Sequence, residues 1–486
     1  MSRTIHESLK DAYEDVAYVG RPNPWSHPDR LAAIGTLFGL APPDPATARV
    51  LEVGCGDGAN LLPMAAQLPG ARWVGCDYSA LLMGRARDAA RGLGLANVEL
   101  VEGDLREIAG SLGEFDYVIA HGFYSWVPAD VRDAFLAAAR RCLAPGGLVY
   151  VSYNVLPGCL VRQIGWDAIK LENAGVSAPR ERLDGARRIR RDLAEAWSAG
   201  DGIGALLAPE FADDADRTDS ALYHDDMSGV NQPVHFTTFA RHAAAHGLGF
   251  VAEAELGSMG AGGLPPALQA LIAGSDALSR EQYLDFARLR RFRQSILASG
   301  GDAAGARLTP AALDRLHVSV LTGVMQSRAA SAGAPGGDPL VDLLAERYPG
   351  SIPGTELVEA LVARDVPERD ARGRIVRGCL HGACEIHARP LPLAPRASPR
   401  PRAFAVARWQ AERSDVVTNL RHEGVRVDEE DARRVLAAAD GSRDRAALAA
   451  VLGPRAEADS IVAQCLDRFA FTGLLEATDP TKDPTR

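Results

Sequence analysis

Apolar and polar positions settle into a regular rhythm from residue 49. Arg49-Val50-Leu51-Glu52-Val53 is an apolar run of strand length, and Gly54-Cys55-Gly56-Asp57-Gly58 turns the chain. Ala59 to Leu68 then carries apolar residues at helical spacing until Pro69-Gly70 stops it. ARWVGCD predicts a strand ending in Asp77, Ser79 to about Arg91 a helix, and NVELVEGD a strand ending in Asp104. FDYVIAHG predicts a fourth strand, VRDAFLAAARRCL a helix, PGG a turn and LVYVSYN a fifth strand. Strand alternating with helix predicts an α/β fold, a Rossmann-like parallel sheet with ligands at the carboxyl ends of its strands.

The first turn holds three glycines in five positions. At a strand-to-helix turn, glycine lets a ligand reach bare backbone amides. Gly54, Gly56 and Ala59 also fit a dinucleotide fingerprint, and Asp77, 19 residues past Gly58, suits a ribose diol in either reading. Glu52 and Asp104 discriminate. Glu52, two residues before the first glycine, can hold the turn or attract a cationic ligand. Asp104 closes the third strand, placed to accept a hydrogen bond from an adenine amino group.

This ordered set, E-x-G-x-G-x-G, then Asp77, then Gly103-Asp104, resembles class I S-adenosylmethionine-dependent methyltransferases, strand by strand over about residues 46 to 154. The resemblance implies S-adenosyl-L-methionine as cofactor. It implies Gly54, Gly56 and Gly58 near the methionine part, Asp77 on the ribose hydroxyls and Asp104 on adenine. Glu52, Tyr78, Leu105 and His121 complete the implied cofactor pocket.

Further stretches are more particular: YEDVAYVGRPNPWSHPDRLAAIGTLFGL (13–40), HGFYSWVP (121–128), VSYNVLPG (151–158), HFTTFARHAAAHGLGFVAEAEL (235–256) and EQYLDFARLRRFRQSIL (281–297). They resemble methyltransferases with a methyltransferase regulatory domain, a group that includes rickettsial protein-lysine methyltransferases. PNPWSHP stands where that group has a P-F-x-x-T-H-P-like stretch, so Ser26 replaces a threonine. On this resemblance FARHAAAHG feeds a sixth strand, FVAEAEL, and FRQSIL is a seventh, antiparallel strand that closes the sheet near residue 300. The expected domains are a lid segment (1–45), the methyltransferase domain (46–300) with a helical insert at about 160–230, and two modules (301–390 and 391–486). Each module is three helices with a strand or wing, winged-helix-like and α-rich.

Methyl transfer from a sulfonium is an in-line displacement, so alignment and exclusion of water carry much of the barrier, with about 7 to 11 kcal/mol available from positioning. The site needs a neutral nucleophile and aromatic walls that tolerate positive charge. Tyr13, Tyr18, Trp25, Phe123, Tyr124, Trp126 and Tyr153 are the candidates for those walls. His121 is the candidate to accept a proton or orient the acceptor, and Tyr124 and Tyr153 to accept hydrogen bonds from a lysine amine. His27, assigned to the substrate pocket, either closes over the cofactor or caps a helix ahead of Pro28-Asp29, and Asn154 is a polar contact beyond the fifth strand. The resemblance makes a lysine on a protein or peptide the first acceptor to consider. N- or O-methylation of a small natural product or modified peptide is the alternative, and a cofactor-binding regulatory protein without turnover is a second.

Bulk properties narrow the partners. The 486 residues carry a net charge of -10, which argues against nucleic acid or an anionic membrane, and no run of about 18 apolar residues suggests a bilayer span. Seven scattered cysteines and an N-terminal stretch without a secretory pattern point to a reducing, cytoplasmic setting. Cys379, His381, Cys384 and His387 fall within nine residues, but strand alternation in GACEIHAR sends Cys384 and His387 to opposite faces, so no metal is expected. RLRRFR (288–293) reads as a solvated helix face or a set of salt-bridge partners. Residues 299–306, 328–338 and 389–402 read as linkers. The last module holds as many acids as bases, which favours contact with a protein or peptide, or pairing as a homodimer.

Overall fold

The apolar runs become a sheet of seven strands: β1 (Arg49–Val53), β2 (Arg72–Asp77), β3 (Val98–Glu102), β4 (Phe115–Ala120), β5 (Leu143–Asn154), β6 (Leu248–Glu253) and β7 (Phe292–Ser299). This computed structural model describes residues 18–212, 218–330 and 337–477; Tyr13 lies outside them. The spatial order is β3-β2-β1-β4-β5-β7-β6, with β1 to β5 parallel and β7 antiparallel to both its neighbours. β4 is buried along its whole length, as a central strand covered by helices on both faces must be. The strand order reverses between β1 and β4, which opens a crevice at their carboxyl ends.

Several local expectations change. The predicted PGG turn is part of β5, where the register against β4 slips between Phe115 and Tyr117 and Gly146 takes a φ of 72°. A bulge reverses nothing, so the strand continues through it. Residues 300–305 are a short helix capped by Ser299, not a linker. Residues 389–402 lack regular structure but do not hang free: Leu393 and Ala394 are buried, and the Ala394 N–H donates to Leu475 O at 3.0 Å. Residues 328–330 end a helix, Thr322–Ala330, and residues 331–336 are outside the described set.

The insert is helical as expected: Cys159–Glu172, Pro179–Ser198, Ile203–Ala212 and a π-turn at Leu222–Asp226 around Ile169, Leu183 and Met227. After β7 come three helices, Pro339–Glu346, Gly354–Val362 and Glu368–Leu380, with a small sheet of β8 (His317–Val320), β9 (Ile352–Pro353) and β10 (Cys384–His387). Their apolar faces do not form a separate core. Val318, Leu357, Ile375 and Ile386 run on continuously into Leu31, Ile34, Trp73 and Tyr150. The last module does have its own core, around Phe404, Val435, Leu448 and Phe469. It adds the helix Ala405–Ala411 and a hairpin of β11 (Val416–Thr418) and β12 (Gly424–Arg426) to the three expected helices. No helix among the described residues is long and apolar enough to cross a membrane.

Candidate cofactor and active site

The crevice at the ends of β1, β2 and β4 is a cavity of about 750 Å³. Its floor is the glycine turn. Gly54 has a φ of 72° and a Cβ there would sit 2.8 Å from the Phe123 ring, so only glycine fits. Gly56 also faces the cavity, with Glu52, Asp77, Tyr78, Asp104, Leu105 and His121. Gly58 does not. A Cβ there would strike Leu62 at 2.9 Å, so this glycine serves the packing of the turn onto its helix.

Each carboxylate on the wall is held by local geometry. Asp77 accepts the N–H of Gly56 at 2.9 Å and of Ser79 at 2.8 Å, and burial nevertheless pushes it above its ordinary range. Asp104 caps the helix Leu105–Ile108 by accepting the Arg106 N–H at 2.9 Å, and its carboxylate also meets the Arg106 guanidinium. Glu52 is 2 % exposed; its Oε1 accepts from Asn60 Nδ2 at 2.7 Å, and its Oε2 makes no hydrogen bond among the described residues. Burial, with Asp57 and Asp77 adding like charge, pushes Glu52 up to about 8. A buried carboxyl with one oxygen unserved, on a wall that also carries Asp57, Asp77, Asp104 and Asp225, fits a ligand bearing an ammonium and a sulfonium.

His121 is held from one side. Its Nδ1 lies 2.9 Å from Asn23 Nδ2 and 3.1 Å from Ser152 Oγ. Asn23 Oδ1 accepts the Trp25 N–H, which turns the amide NH2 toward His121, and Ser152 Oγ accepts the Gly122 N–H, which leaves its own proton for the ring. Nδ1 is therefore an acceptor and the neutral ring carries its proton on Nε2. Burial lowers His121 to about 4. Its Nε2–H is a donor, and at neutral pH the ring does not take up a proton.

Tyr18, Trp25, Phe123, Trp126 and Phe292 supply the aromatic lining, and the insert brings Ser220, His224 and Asp225 to the same cavity. Besides Gly58, four predicted residues are elsewhere. Tyr124 is 2 % exposed, with its hydroxyl 2.8 Å from His242 Nδ1 and its ring against Phe239. Tyr153 stacks on Phe239 with its hydroxyl 2.9 Å from Ser295 Oγ. Asn154 donates from Nδ2 to Asn231 Oδ1 at 2.9 Å. His27 is the helix cap of its two expected roles: its Nδ1 accepts the Asp29 N–H at 3.1 Å, and burial lowers it to about 4. Sequence reasoning missed Asn23, Asn60, Gln294 and Asp57; of these only Asp57 carried a signal, inside the glycine motif.

Away from this cavity, Asp133 Oδ1 lies 2.8 Å from His246 Nε2 and 3.3 Å from His242 Nε2, a group close enough to hold a metal ion. The Cys379–His387 stretch does not converge: Cys379 and Cys384 sulfurs are 3.3 Å apart in the core, while His387 turns to Ser319 and Asp29.

Comparison with known proteins agrees with this geometry. Residues 50–147 match a methyltransferase domain, residues 218–299 a predicted methyltransferase regulatory domain and residues 399–470 the PKMT C-terminal winged helix domain. The regulatory match spans β6 and β7, so that domain completes the sheet. An uncharacterized protein of Rickettsia prowazekii is 34% identical over 288 residues, 59% of this chain and 52% of its own length. The chain thus spans about half of that relative. A second from the same organism is 28% identical over 240 residues, 49% of this chain and 96% of its own length. The solved structure of PKMT2 from Rickettsia typhi in complex with AdoHcy has the same fold, with a TM-score of 0.81 at 21% identity over 94% of this chain and 99% of that one. In its three matched domains, their order and this site, the chain resembles the S-adenosylmethionine-dependent methyltransferases with a methyltransferase regulatory domain.

Proposed function

We propose that the chain methylates a protein or peptide, with a lysine amine as the acceptor. The observation that carries this reading is the combination of an unserved buried Glu52 oxygen with aromatic side chains lining the same cavity. Bound S-adenosylmethionine supplies an electrophilic methyl on sulfur. Glu52 holds the ammonium of its methionine part, Asp77 the ribose hydroxyls and Asp104 the adenine amino group. Phe123, Trp126, Tyr18 and Phe292 exclude water and favour an amine in its neutral, nucleophilic form. Their faces then accept the methylated ammonium, an attraction of about 0.5 to 2 kcal/mol. His121 orients the acceptor through Nε2–H. The PKMT-type winged helix match supports a macromolecular acceptor, and the free, buried cysteines suit a reducing cytoplasm.

The test is incubation with methyl-labelled cofactor and cell lysate, followed by hydrolysis and amino-acid analysis. A labelled protein band that yields methyl-lysine supports the reading. Label confined to small molecules, or cofactor binding without transfer, overturns it.

A further inference from the structure

His422 reaches the cofactor site from the far end of the chain. It sits at the tip of the β11–β12 hairpin, fully buried, with a φ of 62°. Asn419 shapes that tip, its Oδ1 accepting the N–H of Arg421 at 2.9 Å and of Glu423 at 2.8 Å. Arg421 clamps it to the middle module by donating to Glu385 Oε1 and to Pro349 O, both at 2.6 Å. Glu385 also pairs with Arg30, so three parts of the chain meet here. From this tip His422 Nε2 lies 2.8 Å from Asn60 Oδ1.

The directions of these bonds are fixed. Asn60 Oδ1 also accepts the Asn23 N–H at 2.8 Å, a group that can only donate, so the Asn60 oxygen faces His422 and its NH2 faces Glu52. His422 must then donate from Nε2. Its Nδ1 makes no hydrogen bond among the described residues. An imidazole buried with one nitrogen unserved is costly to keep unless the other nitrogen matters.

We infer that His422 is a positioning residue: its hydrogen bond, together with the Asn23 N–H, holds the Asn60 amide with NH2 toward Glu52, so the C-terminal winged helix completes the cofactor site. This rests on the reading of Glu52 as the seat of the cofactor's ammonium. Without the His422 donor, the Asn60 oxygen keeps the Asn23 N–H but loses its second N–H donor, so the NH2 is held less firmly toward Glu52 and supports less well the carboxylate that the ammonium needs. The other titratable groups that act on or near Glu52 are Asp57 and Asp77, both raising it, and Cys55, Cys76 and Tyr150, which burial keeps neutral. His27 and His121 flank His422 and are neutral as well.

Calorimetric titration of the full chain with S-adenosylhomocysteine between pH 6 and 9 tests this, with thermal unfolding measured alongside. His422→Gln keeps a donor at similar reach and should bind within about twofold of wild type, since the bond is preserved. His422→Asn tolerates a positive φ but is too short to reach Asn60, and His422→Phe keeps the ring without a donor. Both should bind about tenfold more weakly, the equivalent of one hydrogen bond of about 1.4 kcal/mol, with the pH midpoint of binding moved upward. Asn and Phe variants that bind like wild type while Glu52→Gln binds weakly overturn the positioning role and leave the cofactor reading standing. So does a loss shared by the Gln variant at an unchanged pH midpoint, the mark of a purely structural role. Glu52→Gln binding like wild type overturns the Glu52 reading and this inference with it.

Discussion

Two nests of buried carboxylates lie at the ends of the same sheet, and the fold treats them in opposite ways. Beside β7, Glu253, Glu281 and Asp285 surround the buried Arg293, at 2.7, 3.2 and 2.9 Å. At the end of β1, among the described residues, Glu52 has the amide of Asn60 and the like charges of Asp57 and Asp77. Burial raises all of them. At Glu253 the guanidiniums of Arg293 and Arg290 outweigh burial and hold the carboxyl below its usual range; at Glu281 and Asp285 burial still wins. At Glu52 no cation among the described residues opposes it, and the group rises to about 8. Where a buried acid serves the architecture, the chain supplies its own cation. Where a cation is to arrive from solution, the chain leaves the place open. The RLRRFR run, read from sequence as salt-bridge partners or a solvated face, is for Arg293 and Arg290 the former.

Arg293→Leu breaks the first nest and has the largest expected effect. Three buried acids lose their nearer counter-charge and keep only Arg290, and removal of one partner from such a group costs about 3 to 5 kcal/mol. Denaturant unfolding reads that loss, and the fraction still folded should bind S-adenosylhomocysteine as wild type does. Glu52→Gln sharpens the contrast from the other side. Binding should weaken by about 1.5 to 3 kcal/mol, the worth of a hydrogen bond to a charged group, and Asp77→Ala should cost a similar amount through the ribose. Stability should move the opposite way. Glu52 titrates at about 8 when folded against an ordinary 4.5, so its contribution is full below 4.5 and lost as pH rises through 8. The Gln variant should match wild type in melting temperature at pH 4 and exceed it at pH 9. An Asp77→Ala variant with unchanged affinity would place the ribose elsewhere.

A smaller effect follows from the same titration. At pH 7 the free Glu52 carboxyl is largely protonated, and an ammonium needs it ionised. Binding should therefore release about one proton and tighten about tenfold between pH 6 and 7. Calorimetry in two buffers of different ionisation enthalpy counts that proton. Glu52→Gln should release none.

How much of this was legible follows from locality. Glu52, Gly54, Asp77 and Asp104 stand at or beside the ends of successive strands, so strand periodicity alone brought them to one crevice. The aromatic wall was harder. Tyr124–Trp126 is a single 3-10 turn, in which residues three apart share a side. Phe123 and Trp126 therefore face the cavity and Tyr124 turns back into the core. On β5, alternation puts Ser152 beside His121 and Tyr153 on the opposite face. Short strands such as β8, β11 and β12 offer too few positions for any period to show. Asn60 and His422 meet across 362 positions, a contact that no local pattern encodes.

Tyr124 carries the smallest and most diagnostic prediction, because it sets a structure-facing aromatic beside the ligand-facing Phe123 and Trp126. Its hydroxyl lies 2.8 Å from His242 Nδ1, and its ring meets Phe239 edge-on at 5.1 Å and Tyr153 at 5.8 Å. Tyr124→Phe keeps those ring contacts and removes one hydrogen bond. The His242 side chain is 28% exposed, so water can replace the lost partner. The expected cost is about 1 kcal/mol of stability, about 2 °C in melting temperature for a chain of this size. Turnover and cofactor affinity should stay at wild-type values, whereas Trp126→Ala should lower turnover without altering the melting temperature by more than Tyr124→Phe does. A Tyr124→Phe enzyme that melts normally but turns over slowly would return the hydroxyl to the acceptor's side of the wall.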